Sequence, residues 1–113
     1  MDNHPFARGI DELGSYPDKA KIDALGMIAE DSIGNPQQIQ ELCTILYQKL
    51  ELVNMNKKLP ILYLIDHISK KLGTEFHEGF SPKLVTSFVN AYRQVSYDYH
   101  IKKKSQPTLF GIC

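Results

Sequence analysis

The sequence has almost nothing with which to staple itself. Of its two cysteines, Cys43 sits among apolar positions at helical spacing and reads as a small buried hydrophobe, while Cys113 ends the chain. No disulfide framework is implied, and a reducing compartment fits best. The four histidines, His4, His67, His77 and His100, do not stand at zinc-ligand spacing and have no cysteine pair beside them, so neither a metal nor another cofactor is expected. An excess of charge of one sign is also missing. Thirteen basic residues face thirteen acidic ones, which removes any bulk attraction to nucleic acid or to an anionic membrane and leaves only local patches. No apolar run approaches a bilayer span, and the opening MDNHPFARGIDELG lacks both the basic and the apolar part of a signal peptide. The expected setting is therefore inside the cell. Internal repeats, low-complexity tracts, phosphate-cradling glycine loops, hydrolase elbows and paired acid–base residues are absent too, so no enzyme is expected.

What is there is helix after helix. At 113 residues the chain is large enough for one domain with a single core, read here as spanning 1–113, either as a piece of a longer protein or as a member short at its C-terminal end. Phe6, Ile10 and Leu13 form a short stripe ended by Gly14. Asp18 caps a helix carrying Ile22, Leu25, Met27, Ile28 and Ala29. Asn35-Pro36 is a cap followed by a first-turn proline, and Ile39, Leu42, Cys43, Leu46 and Leu50 continue at spacings of three and four to about Val53. A polar connection over 54–57 leads to the most apolar helix, ended by Gly73, with one short turn over 74–79. Ser81-Pro82 repeats the cap-plus-proline signal and starts a helix with Leu84, Val85, Phe88, Val89 and Tyr92 on its apolar side. Beyond Val95 the periodicity fades, and Pro107 interrupts the tail. An all-α fold follows, with Leu25, Leu46, Ile65, Ile68 and Phe88 in its core.

One carboxylate stands out. In KLPILYLIDHISKKLG, residues 58–73, Asp66 lies inside the most apolar stretch of the chain. At about 100° per residue, Ile61, Ile65, Ile68 and Leu72 form the core stripe, with Leu64 on one flank and Leu62 and Ser69 on the other. Asp66 falls about 140° from Ile61, beside Leu62 and a second row of Leu59, Tyr63 and Lys70. Two readings remain open. The bland one is a surface pair with Lys70 one turn on. The other is a hydrogen-bond acceptor on the rim of a groove whose apolar walls pack against a ligand.

The same stretch resembles the fourth helix of the CTD-interacting domain, which binds the C-terminal repeat tail of RNA polymerase II and whose pattern there is approximately K-L-P-x-x-Y-L-x-D-S-I-x-K-x-x-G. IDALGMIAED is similar to that family's I-x-x-L-T-x-L-A-E helix, and FSPKLVTSFVNAYRQV to its F-x-x-x-L-x-x-x-F helix with a further aromatic four positions on. The resemblance runs from about Phe6 to Ile112 and is closest to the branch found in pre-mRNA cleavage and transcription termination factors. It implies a right-handed superhelix of about seven to eight helices, related to VHS and ENTH domains, with the last helix lying beyond this chain. It also implies a nuclear, non-catalytic reader of the heptad Tyr-Ser-Pro-Thr-Ser-Pro-Ser, often phosphorylated on the serine after tyrosine, with other 3′-end processing factors as further partners.

Carried over residue by residue, the resemblance makes Asp66 the acceptor of a hydrogen bond from the heptad, with Leu62, Tyr63, His67 and Lys70 around it and Phe110 and Ile112 as apolar groove positions. Lys19 and Lys21, in the first turn of the second helix, are the phosphate candidates, against the alternative of solvated lysines beside a repelling Asp18. His67 stands where the family commonly has serine, and a solvated helix-surface histidine is the preferred reading of it. Cys113 stands where some members place a phosphate-contacting arginine, which puts strong phosphate selectivity in doubt. Lys102, Lys103 and Lys104 near Tyr97 and Tyr99 offer at most weak contact with RNA. The competing function is a VHS- or ENTH-like adaptor in membrane traffic, but Asp2, Asp11 and Glu12 make the N-terminus a poor lipid-binding helix.

Overall fold

The computed structural model describes residues 4–103, with side chains over 4–97, and Phe110, Ile112, Cys113 and Lys104 lie outside the described residues. Within them the chain forms six α-helices and no strand: α1 (Pro5–Asp11), α2 (Lys19–Glu30), α3 (Pro36–Leu52), α4 (Met55–Leu72), α5 (Thr74–Glu78) and α6 (Pro82–Lys103). The all-α expectation is met and is compatible with an α-solenoid. The count of seven to eight is not confirmed; six helices fall among the described residues.

Local chemistry explains most of the boundaries. Asp18 accepts a hydrogen bond from the Lys21 amide and Asn35 from the Gln38 amide, both at 3.1 Å, so each satisfies a donor that the first helical turn leaves unpaired. Ser81 Oγ accepts from the Leu84 amide in the same way, ahead of Pro82. His4 does this work for α1, with Nδ1 accepting from Phe6 N. Gly73 ends α4 with φ of 64°, a backbone conformation that side chains with a Cβ resist.

One expected boundary needs correction. The helix α4 begins at Met55, so the connection from α3 shrinks to two residues, Val53 and Asn54. Pro60 lies inside it, buried, at the cost of the one backbone hydrogen bond its missing N–H cannot donate. The last helix, whose periodicity fades beyond Val95, runs 22 residues to Lys103. Its first four turns are held against α3 and α4, and the polar continuation prolongs a helix already nucleated, which costs far less than starting one.

The core is one contiguous cluster. Phe6, Leu46, Leu62, Leu64, Ile68 and Phe76 are wholly buried, and Leu25, Ile39, Leu42, Ile61, Ile65 and Leu84 nearly so. Each such side chain contributes about 1.5–3 kcal/mol of burial. Expectation and structure part at four apolar residues. Met27 is 63 % exposed, Val85 and Val89 face outward from α6, and Phe88 is only half-buried, packed edge-to-face on Tyr92. The long helices α2 and α4 lie against each other, and α6 crosses both α3 and α4. It is the first of these seams that positions the site.

Candidate functional site

On α4 the residues Tyr63, Asp66, His67 and Lys70 recur at i, i+3, i+4 and i+7 and therefore share one face. That face meets the beginning of α2. Pro17, just before the Asp18 cap, and Lys19, Ile22 and Asp23 in the first turns of α2 close the other side, and the two rows together line an open cavity of about 250 Å³. Its walls are thus one apolar and aromatic set, Pro17, Ile22 and Tyr63, and one charged set.

The charges arrive already paired. Lys70 Nζ lies 2.9 Å from Asp66 Oδ2, and Lys19 Nζ lies 2.9 Å from Asp23 Oδ2, each an i,i+4 pair along its own helix. The two pairs differ in setting. The Asp66 side chain is only 17 % exposed, whereas both lysines reach well into solvent. The Lys19 ammonium, hydrogen-bonded to it, holds the Asp23 carboxyl below the usual carboxylate range; partial desolvation works the other way, and the charges of Lys19, His67 and Lys71 reinforce the lowering.

His67 is not solvated as expected. Its ring is pressed over Gly26 of α2 so closely that a Cβ there would stand 2.7 Å from Nε2. The same Nε2 is shut off from water without a hydrogen-bond partner, and Asp23 Oδ1, at 3.6 Å, is too far to accept one. The absence of a side chain at position 26 is what lets α2 approach α4 here. Lys71 joins the same seam, with Nζ 3.4 Å from Glu30 Oε2.

Five of the expected site residues are brought together in this cavity: Lys19, Tyr63, Asp66, His67 and Lys70. Two are not. Leu62 is completely buried, because it is held in the core by the packing around α4, and it has no surface to offer a ligand. Lys21 turns away: its Nζ donates to the Glu12 carbonyl at 3.0 Å, and its side chain lines a separate hollow of about 130 Å³ between α1 and α2. Its backbone amide is also taken, by Asp18. Phe110 and Ile112 lie outside the described residues. Sequence reasoning missed Pro17, Ile22 and Asp23. A signal for Asp23 was present in its position four residues after Lys19.

A larger hollow of about 320 Å³ lies elsewhere, between α3 and α5, lined by Ile39, Glu75 and Glu78 among others, with none of the expected site residues. Among the described residues, no three of His, Cys, Asp and Glu are grouped to hold a metal ion, and no helix is long and apolar enough to cross a membrane. Cys43 is buried, and burial pushes its thiol up to about 12, so it is inert as a nucleophile. What the described surface offers is a concave, partly apolar seam with one sheltered carboxylate, a form suited to binding.

Comparison with known proteins points the same way. No solved structure matches the chain. A family model, the CID domain, matches residues 8–109, most of the sequence and every helix from the middle of α1 onward. The chain therefore belongs to the CID domain family, protein-interaction domains known for binding the C-terminal domain of RNA polymerase II.

Proposed function

We propose that this chain reads heptad repeats of the RNA polymerase II tail in the nucleus, as a single domain serving transcription termination and mRNA 3′-end processing, in the manner of the cleavage and termination factor branch. The observation that carries the reading is Asp66, a carboxylate sheltered on the wall of a cavity whose apolar and aromatic side is Pro17, Ile22 and Tyr63. A carboxylate has about four lone-pair sites, so the contact with Lys70 leaves it able to accept from a peptide hydroxyl or amide. The heptad's two prolines and one tyrosine are suited to the apolar and aromatic walls on either side.

The test is a fluorescence-anisotropy titration of heptad peptides, unphosphorylated and phosphorylated, against the wild type and Asp66→Ala. Saturable binding by the wild type, weakened about tenfold or more by the substitution, is the expected result. Tight binding to phosphoinositide vesicles with no heptad binding would replace this reading by that of a membrane adaptor.

A further inference from the structure

Asp23 has no part in the reading so far, although it faces Asp66 across the same cavity. Each carboxylate already holds a lysine at 2.9 Å, Lys19 on Asp23 and Lys70 on Asp66, and His67 reaches toward Asp23 from the α4 side at 3.6 Å. Two lysines against two aspartates leave the cavity without net charge when His67 is neutral. Asp18, at the cap immediately before Lys19, adds a further carboxylate at this end of α2.

A phosphoserine brings about 1.5 to 2 negative charges. To gain a lysine it must take that lysine from an aspartate, and the aspartate then stands beside the phosphate with its own charge uncovered. Attraction and repulsion act over nearly the same distances, so they largely cancel. A lysine with no local partner would be a phosphate hook; Lys19 is not one, because Asp23 lies one turn away on the same face. The hydrogen bond from Lys19 holds the Asp23 carboxyl below the usual carboxylate range, so it is ionised and opposes a phosphate at neutral pH.

We infer that Asp23 is a specificity-determining residue that keeps this groove a reader of the unphosphorylated heptad, by occupying Lys19 and by repelling a phosphate placed between α2 and α4. The inference rests on the heptad reading proposed above.

Dissociation constants for an unphosphorylated two-heptad peptide and for the same peptide phosphorylated on the serine after tyrosine test it, measured with the wild type, Asp23→Asn and Lys19→Gln. The wild type should bind the unphosphorylated peptide at least as tightly as the phosphorylated one. Asp23→Asn should improve the phosphopeptide about tenfold and leave the other within about threefold, so that the preference reverses. Lys19→Gln, which uncovers Asp23, should weaken the phosphopeptide several-fold more than its partner. Thermal melts of both variants show whether the fold is intact, and since the comparison is a ratio of two ligands on one protein, partial unfolding does not imitate it. A wild type that prefers the phosphopeptide tenfold, or an Asp23→Asn variant that shifts both peptides equally, overturns the inference while leaving the heptad reading standing. A wild type that binds neither peptide overturns the heptad reading, and this one with it.

Discussion

The helix α4 has two faces that obey different rules. On one, Ile61, Leu62, Leu64, Ile65 and Ile68 are almost completely out of water and belong to the apolar core cluster. On the other, Tyr63, Asp66, His67 and Lys70 are partly exposed, charged or aromatic, and face α2 across an open cavity. A single short run of residues thus alternates between holding the fold and presenting a surface. On the proposed reading this places Asp66 where it is useful: the core face makes the helix rigid, and a rigid helix would fix the proposed acceptor to within the tolerance that a hydrogen bond demands.

Substitutions on the two faces should separate cleanly. The largest effect belongs to the core face: Leu64→Ala should cost about 2–5 kcal/mol of unfolding free energy in a urea titration, through lost burial and the cavity left behind. A loss under about 1 kcal/mol would mean that this face is not packed as described. On the other face, Asp66→Ala should weaken heptad binding by about 1.5–3 kcal/mol, tenfold or more, with Asp66→Asn in between. The melting temperature should fall only slightly, since an i,i+4 pair whose lysine is largely in solvent contributes a few tenths of a kcal/mol. If Asp66→Ala unfolded the domain, the division of the helix into two faces would be wrong at its central residue. Lys57→Ala, at an exposed position on the first turn of the same helix, is the matched control and should change neither quantity.

A smaller effect sharpens the boundary between the faces. Gly26→Ala improves the intrinsic helix propensity of α2 by about 1 kcal/mol, but it places a Cβ 2.7 Å from His67 Nε2 and forces the ring to move, at about 1–3 kcal/mol. With His67 present the sum should be destabilising. In a His67→Ala background the obstacle is gone, and the same substitution should become stabilising by up to about 1 kcal/mol. A double-mutant cycle by thermal melting reads the sign directly. Additive effects would mean that His67 does not occupy the space over Gly26.

The core face was open to sequence reading and the seam only half so, for a physical reason. Caps announce themselves locally, and Asp18, Asn35 and Ser81 stand where their helices start. Periodicity likewise reports which side of a helix is apolar, and the core positions it assigns to Leu25, Leu46, Ile65 and Ile68 are the ones these residues occupy. It does not report how much of that side a neighbour will cover. Met27, Val85 and Val89 have the right residue type, yet they lie at the edges of their stripes, where no partner helix among the described residues reaches them. The placements of Lys21, turned toward the Glu12 carbonyl, and of Leu62, in the core, have the same kind of origin, one step of the wheel deciding between groove, core and the opposite flank of the helix. Tyr63, Asp66, His67 and Lys70 were legible because one helix carries all four. Asp23 and Pro17 belong to another element, and only the pairing of α2 with α4 brings them near.

The smallest effect concerns Asp23 and tests whether its carboxylate charge contributes to the stability of the seam. Because its folded pKa lies below the unfolded value of 3.8, Asp23 adds stability that is present at neutral pH, declines as pH falls below about 4, and is gone once the folded state is protonated too. Lys19 is largely in solvent, so the contribution is small and screened by salt. The measurement is the difference in melting temperature between the wild type and Asp23→Asn from pH 7 to pH 2.5 at low ionic strength. A constant difference down to about pH 5 that closes below pH 4 assigns the effect to the Asp23 carboxylate and its lysine. A difference that already changes well above about pH 5, or that persists unchanged to the acid end, would mean that the Asp23 carboxylate is not the group that sets it.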